Sequence, residues 1–227
     1  MFANRTEAGR ALGREVAARR REGEVVVVLG LARGGVTVAA EVARELDAPL
    51  DVLVVRKLGV PGHRELAMGA LAAGSIVRNE DVIASLGIDE ATLARVVADE
   101  KAVADQRERE YRGVRAPVPL GGRTAVVVDD GLATGATARA AVRALRHRAA
   151  DRPARVVLAV PVAPRDTLAL LAREVDDVVC LQVPPLFYAV GEWYRDFSQV
   201  NDEQVRQVLA AHGADSPGSP SSRPSTG

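Results

Sequence analysis

The feature that most constrains the fold is a series of short segments that are apolar at nearly every position. Amphipathic segments with helical periodicity separate most of them. The five segments are VVVVLGL (25–31), LDVLVV (50–55), TAVVVDD (124–130), ARVVLAVPV (154–162) and DVVCLQV (177–183). A strand that is apolar throughout has both faces buried, as in a parallel sheet covered by helices on both sides. The pattern predicts an α/β domain of three layers.

The amphipathic segments supply the helices, which are predicted at residues 6–22, 36–46, 137–149 and 166–174. Residues 64–114 interrupt this rhythm. ELAMGALAAGSIV (65–77) predicts a hairpin or two short extended pieces around Gly74, and two helices follow. The second helix is long and highly charged, and it either packs one face on the domain or forms a lid or an oligomer contact.

Domain boundaries follow from this pattern. Residues 1–212 are expected to form one domain, with 64–114 as a loop and helical insertion and 183–212 as a C-terminal segment. The tail at 213–227 is rich in Ser, Pro and Gly, and we predict that it is disordered.

Composition excludes several classes of protein. Lys plus Arg and Asp plus Glu both number 30, so no overall positive charge attracts nucleic acid, although local arginine patches at 14–21 and 139–148 remain an alternative. The single cysteine, Cys180, lies in an apolar run and is predicted to be a small buried residue, which fits a reducing compartment. No signal peptide or membrane span is evident. We therefore expect a cytoplasmic protein without membrane association.

Two loops that follow apolar runs are rich in glycine and basic residues. Ligands in open α/β sheets bind beyond the carboxyl ends of the strands. GLARGG (30–35) carries Arg33 and precedes a predicted helix, which suits an anion or simply a tight turn. VVRKLGVPGHRE (54–65) predicts a mobile basic loop that closes on an anion, or a solvated loop. We predict that His63 is solvated rather than an acid or base, and that His147 and His212 lie on helix surfaces.

VVVDDGLATGAT (126–137) combines two chemistries. The first amides of the following helix and the hydroxyls of Thr134 and Thr137 can surround a phosphate. Asp129 and Asp130 repel a phosphate, so they face hydroxyls or a metal ion. A receiver-type magnesium site needs acids at the end of another strand, whereas basic residues follow the runs that end at Gly30 and Val55. Ribose 5-phosphate satisfies both demands.

This stretch resembles the phosphoribosyl pyrophosphate (PRPP) signature of type I phosphoribosyltransferases over 13 positions, Ala125 to Thr137. Gly131 departs from the pattern, because the family usually has a larger aliphatic residue or serine there. LARGG (31–35) resembles the pyrophosphate loop, which often has a strained or cis peptide near its basic residue. RKLGVPG with ELAMGA resembles the flexible loop, and YAVGEWYRDF (188–197) resembles the hood segment of hypoxanthine-guanine-type members.

The resemblance implies a Rossmann-like, three-layer parallel-sheet core with a helical insertion and a hood. It also implies a glycosyltransferase of nucleotide metabolism, which uses PRPP and Mg²⁺ to transfer phosphoribosyl to a nitrogen acceptor such as a nucleobase and releases pyrophosphate. The alternative is a PRPP-binding regulatory protein without turnover. A homodimer is expected because dimers are common in the family, and the acceptor is left open.

The resemblance assigns the site residues by role. The catalytic residues are Asp129, Asp130 and Lys57, and the two acids bind the ribose diol and Mg²⁺, directly or through water. The 5-phosphate loop comprises Ala133, Thr134, Gly135, Ala136 and Thr137. Pyrophosphate is bound by Ala32, Arg33, Gly34, Arg56 and Lys57. The candidates for stacking on a base are Phe187, Tyr188 and Trp193, which otherwise anchor the C-terminal segment to the core.

Overall fold

The computed structural model describes residues 1–214. The strands are β1 (Val26–Leu31), β2 (Leu50–Leu53), β3 (Val55–Val60), β4 (His63–Ala72), β5 (Ser75–Arg78), β6 (Thr124–Val128), β7 (Arg155–Val162) and β8 (Asp177–Gln182). The helices are α1 (Arg5–Ala18), α2 (Gly34–Leu46), α3 (Glu80–Ser85), α4 (Glu90–Arg112), α5 (Ala136–Arg146), α6 (Arg165–Leu171) and α7 (Asp202–Ala214), and Val190–Trp193 form a short 3-10 helix.

The central sheet has five parallel strands in the order β2-β1-β6-β7-β8. Its side chains alternate between two apolar layers. Val26 and Val28 of β1 join a core cluster with α1 and α2, whereas Val27 and Leu29 join a second cluster with α5. Both faces of the sheet are therefore covered, and the predicted three-layer α/β architecture is confirmed.

The strand order places a topological switch point between β1 and β6. From β1 the chain continues to β2, toward one edge of the sheet, whereas from β6 it continues to β7, toward the opposite edge. The connections that follow β1 and β6 consequently run toward opposite edges of the sheet, and ligands of such sheets bind at the carboxyl edge of this switch point. The loop after β1 is the glycine-rich loop (residues 32–35), and the loop after β6 contains Asp129, Asp130 and residues 133–137.

The expectation of a loop over 54–65 is wrong, because β3 and β4 form an antiparallel hairpin there. Its turn is at Pro61 and Gly62, where Gly62 has a φ of 79°. The segment is extended because Leu58 and Val60 alternate into the core, although basic residues and glycine dominate its composition. β5 completes a three-stranded sheet after the turn at Gly74, so the predicted hairpin around that residue is confirmed.

Helices α3 and α4 follow as predicted. Helix α4 buries Leu93, Ala104 and Tyr111 on one side, so it packs one face on the domain. Tyr111 also donates its hydroxyl to Asp202 Oδ1 at 2.7 Å, which joins α4 to α7. The long charged helix is thus part of the folded domain.

Single residues elsewhere correct or bear out the sequence predictions. Cys180 is only half-buried, because β8 is an edge strand. His212 is buried rather than on a helix surface, and its Nε2 lies 3.0 Å from the carbonyl oxygen of Ala48. His147 is exposed, as predicted. The predicted disordered tail lies outside the described residues from 215 onward. Among the helices in the described part, none has the length and apolar character needed to cross a membrane.

Candidate active site

The glycine-rich loop lies directly against the two aspartates. The peptide bond between Ala32 and Arg33 is cis, as the resemblance implied, and α2 begins at Gly34. A Cβ atom on Gly34 would lie 2.0 Å from Oδ2 of Asp130, and one on Gly35 would lie 2.6 Å from the carbonyl oxygen of Val128. Side chains at these two positions would separate the loop from β6. The two glycines therefore allow the loops after β1 and β6 to touch.

Asp129 and Asp130, the acidic pair, carry an electrostatic penalty. Oδ1 of Asp129 accepts a hydrogen bond from the amide of Asp130 at 2.9 Å. Burial raises the pKa of Asp129 well above its ordinary value, and the charge of Asp130 raises it further. Burial also raises the pKa of Asp130, while Arg5 opposes that rise. Because the charged forms are disfavoured, the pair attracts a cation or hydrogen-bond donors.

Arg5 at the start of α1 is a site residue that the sequence analysis missed. Its Nε donates to Oδ2 of Asp130 at 2.7 Å, and the two side chains are only 10% and 14% exposed. Its guanidinium carbon lies 3.9 Å from the ring centroid of Phe197, and Nη1 donates to the carbonyl oxygen of Ser198 at 2.8 Å. The partners are 125 residues or more apart in sequence, so no local motif signals the contact.

Tyr194 reaches the acidic pair from the C-terminal segment (residues 183–212). Its hydroxyl donates to the carbonyl oxygen of Asp130 at 2.5 Å. Burial and the charge of Asp130 raise the pKa of Tyr194, so the phenol stays protonated and remains a donor. Phe2 packs on this ring with centroids 5.6 Å apart. The N-terminal residues and the C-terminal segment thus meet beside the acidic pair.

Trp193 belongs to this aromatic cluster. It is half-buried and packs with Phe2 and Tyr194, and its carbonyl oxygen accepts from the amide of Phe2 at 2.8 Å. Its indole Nε1 is buried without a hydrogen-bond partner in the described part of the chain. Of the three candidates for stacking on a base, Trp193 therefore contributes to the anchor that holds the C-terminal segment.

The phosphate loop (residues 133–137) presents an uncapped helix N-terminus. Helix α5 begins after Gly135, which has a φ of 71° and, as N-cap, provides no side-chain bond to the helix. Thr134, Ala136 and Thr137 are exposed, while the hydroxyl of Thr167 fixes the loop by donating to the carbonyl oxygen of Ala133 at 2.7 Å. The amide of Ala136 donates to Oγ1 of Thr134 at 3.4 Å, and the amides that follow it in the first turn, with the two threonine hydroxyls, can donate to an anion.

The N-terminus of α2 has the same character. Its N-cap residue, Arg33, makes no side-chain capping bond, and its guanidinium lies 3.8 Å from Asp202 Oδ1. The acidic pair follows β6, which lies next to β1 in the sheet. Helix α2 follows β1 and helix α5 follows β6, and neither N-cap residue makes a side-chain capping bond. The site combines two anion-attracting positions with one cation-attracting position.

The structure separates Arg56 from Lys57. These neighbours in β3 point to opposite sides, as strand geometry requires. Lys57 lines a cavity of about 880 Å³ together with Thr134 and Thr137 of the phosphate loop. Arg56 instead forms an ion pair with Glu100 of α4, with Nε 2.7 Å from Oε2. Only Lys57 of the two is brought to the phosphate loop.

Phe187 and Tyr188 line a second cavity of about 660 Å³. Pro164, Arg165 and Asp166, at the carboxyl end of β7, form its other wall. Tyr188 is 78% exposed, so its ring is available for contact with a ligand. Thr167, the residue after Asp166, donates to the carbonyl oxygen of Ala133 in the phosphate loop.

Within residues 1–214, no group of three or more His, Cys, Asp or Glu side chains could hold a metal ion. The acidic pair is the donor set that fits Mg²⁺, which binds one or two carboxylates and completes its shell with water and phosphate oxygens. The raised pKa of Asp129 agrees with this fit, because a cation would stabilise the ionised form.

Comparison with known proteins identifies the family. The model of the phosphoribosyl transferase domain matches residues 4–194. A Mycobacterium tuberculosis protein, named provisionally as a phosphoribosyl transferase in two strains, is 49% identical over 210 residues, which are 92% of this chain and 46% of that protein. The chain thus spans about half the length of these curated relatives.

A solved structure shows the same fold over nearly the whole chain. The protein TT1426 from Thermus thermophilus is 42% identical and superimposes with a TM-score of 0.79, over 92% of this chain and 98% of that one. The family model and the relatives confirm the resemblance inferred from residues 125–137. The chain belongs to the phosphoribosyl transferase domain family.

Proposed function

We propose that this protein is a phosphoribosyltransferase that uses PRPP and Mg²⁺, transfers phosphoribosyl to a nitrogen acceptor such as a nucleobase, and releases pyrophosphate. The observation that carries the proposal is the acidic pair at the switch point, with the uncapped N-termini of α2 and α5 following the two adjacent strands. PRPP has the matching layout, with a phosphate at one end, a pyrophosphate at the other and a diol between them.

The 5-phosphate binds at the phosphate loop. The amides at the start of α5 and the hydroxyls of Thr134 and Thr137 donate to its oxygens, and Gly135 permits the backbone to turn there. Lys57 lies across the cavity from this loop and adds positive charge. These groups are in place before binding, so little reorganisation is needed.

The pyrophosphate binds at the glycine-rich loop. Ala32, Arg33 and Gly34 present the N-terminus of α2, and the guanidinium of Arg33 supplies a full charge. Arg56 contributes only if it exchanges its bond to Glu100 for one to the ligand. We therefore assign the basic contribution of β3 to Lys57 rather than Arg56.

The acidic pair binds the ribose. Asp129 and Asp130 accept hydrogen bonds from the diol, and they hold Mg²⁺ directly or through water. The metal, when bound, offsets the negative charge that develops on the departing pyrophosphate. The protein groups themselves orient the ribose and stabilise charge, so positioning rather than covalent chemistry supplies most of the rate enhancement.

The acceptor binds in the cavity lined by Phe187 and Tyr188. A planar heterocycle stacks on the exposed Tyr188 ring, with its nitrogen directed toward the ribose at the acidic pair. Arg165 and Asp166 provide hydrogen-bonding groups in the same cavity. A homodimer and a cytoplasmic location stay predictions of the sequence.

The test is a panel of nucleobases incubated with PRPP and Mg²⁺ while released pyrophosphate is measured, with calorimetry of PRPP binding alongside. We expect turnover with at least one base. Asp129→Asn is expected to lower turnover roughly 100-fold or more, because it removes a preorganised charge from the reaction site. Asp129 is a cleaner target than Asp130, whose replacement also removes the partner of Arg5.

The matched control is Asp47→Asn. Asp47 is exposed at the C-terminal end of α2, far from Gly34, and its left-handed conformation suits asparagine. This variant should retain wild-type turnover. Absence of PRPP binding would refute the proposal. PRPP binding without pyrophosphate release from any base would favour the regulatory alternative.

A further inference from the structure

The carboxylate of Asp130 is enclosed by two residues from distant segments. Its Oδ2 accepts the Nε–H of Arg5 at 2.7 Å, and a Cβ atom on Gly34 would lie 2.0 Å from this oxygen and 3.2 Å from Arg5 Nε. Arg5, Gly34 and Asp130 are therefore in mutual contact. A side chain at residue 34 would clash here, and loss of the guanidinium would leave a buried carboxylate without its charged donor.

Arg5 also joins the acidic pair to the C-terminal segment. The guanidinium covers Phe197 and donates to the carbonyl oxygen of Ser198, while Tyr194 donates to the carbonyl oxygen of Asp130. The same segment pairs with the N-terminus, since the amide of Arg195 donates to the carbonyl oxygen of Phe2 at 2.9 Å. Residue 130 is thus held through its side chain by Arg5 of α1 and through its main chain by Tyr194 of the C-terminal segment.

We infer that Arg5 is a positioning residue for PRPP binding, which holds the Asp130 carboxylate against the glycine-rich loop and couples it to the C-terminal segment. The inference rests on the proposed function and adds a role that lies outside the PRPP signature. Arg5 acts through Asp130 and needs no contact with the ligand. Arg5 keeps the Asp130 carboxylate in place although the charges of Asp129 and Asp130 repel each other.

A second ion pair on α1 provides the matched control. Nε of Arg10 donates to Oε2 of Glu41 at 3.0 Å, so this pair also joins α1 through an arginine Nε to a carboxylate that is 10% exposed. Glu41 lies within α2, away from the acidic pair. A change at Arg10 removes an ion pair of α1 but leaves Asp130 and the C-terminal segment in contact.

The experiment compares wild type with Arg5→Met, Arg5→Lys and Arg10→Met. Calorimetry measures PRPP binding with Mg²⁺, and the emission of Trp193, the only tryptophan, reports on the C-terminal segment. Arg5→Met is expected to weaken PRPP binding roughly ten-fold or more, as for a lost charge-assisted hydrogen bond, and to reduce the emission change on binding. Arg5→Lys keeps the charge and is expected to recover part of the PRPP affinity and part of the emission change. Arg10→Met is expected to match wild type in both measurements.

The outcomes separate this inference from the function beneath it. A wild-type protein that does not bind PRPP refutes the proposed function. If wild type binds PRPP and Arg5→Met binds it equally well with the same emission change, the role of Arg5 is refuted even if its melting temperature falls. Should Arg5→Met not fold, Arg5→Gln, which keeps a donor but no charge, is expected to show the same loss.

Discussion

Gly131→Ala is expected to destabilise the fold because the space beside Gly131 is already filled. Its φ is 156°, and a Cβ atom would lie 2.4 Å from Cγ1 of Val190 and 3.1 Å from Cγ1 of Val162. Carbon atoms in contact lie about 3.5–4.0 Å apart, so Val190 would have to move by roughly an ångström. The glycine that departs from the family signature is thus matched by a valine from the C-terminal segment.

The size of the effect follows from two contributions. Overpacking of a filled site costs about 1–3 kcal/mol, and a non-glycine residue at a positive φ costs about 1–3 kcal/mol more. The free energy of unfolding should therefore fall by about 2–6 kcal/mol. For a chain of this size the melting temperature should fall by at least about 4 °C.

Urea unfolding of a double-mutant cycle measures the packing part separately. Val190→Ala removes the clashing methyl groups, so the double variant should show a coupling free energy of about 1–3 kcal/mol between the two sites. Gly23→Ala, at a φ of 71° with no other atom of the described residues within 4 Å of the added Cβ, is the control for an alanine at positive φ without a clash. A Gly131→Ala variant within about 0.5 kcal/mol of wild type, or an additive cycle, would refute the packing argument.

Two further predictions concern charges. Burial and the charge of Asp130 raise the pKa of Asp129, so its ionisation destabilises the fold once the pH rises above about 4, the pKa of an aspartate in the unfolded chain. The Asp129→Asn variant should therefore have a higher melting temperature than wild type at neutral pH and the same melting temperature near pH 3. Asp51→Ala removes the buried partner of Arg112 at 2.7 Å and should cost about 3 kcal/mol or more in urea unfolding. Glu90→Ala, which breaks an exposed pair, should cost less than about 1 kcal/mol.

The sequence predicted the central sheet because its signal is local. Four of the apolar runs became β1, β6, β7 and β8, and the acidic pair falls at the carboxyl end of β6 as expected. The run at 50–55 was divided instead, since β2 ends at Leu53 and β3 begins at Val55 in a different sheet. Nothing in an apolar run marks the residue at which a chain leaves one sheet for another.

The parts that escaped prediction depend on contacts between distant segments. Arg5 and Tyr194 meet the same residue, Asp130, across 125 and 64 positions. Arg5 lies in no motif, and the hood-like pattern at 188–197 does not indicate that Tyr194 contacts Asp130. The basic segment at 54–65 has the composition of a loop, because Leu58 and Val60 are the only two buried residues among the six of β3 and this alternation is short. The sequence predicts His212 on a helix surface because the carbonyl of Ala48 that it contacts lies 164 positions earlier in the chain.

The electrostatic cost of ionising the acidic pair bears on which ligand the pair can bind. Within residues 1–214, one guanidinium, that of Arg5, and one main-chain amide, that of Asp130, donate hydrogen bonds to the two carboxylates. A single positive charge cannot neutralise two negative ones, and burial, followed by the charge of Asp130, raises the pKa of Asp129. A ligand that brings a cation or hydroxyl donors to Asp129 relieves this penalty, whereas a phosphate alone increases it. Under the proposed function, the pair therefore favours magnesium-bound PRPP over free PRPP, because only the complex carries positive charge to that carboxylate.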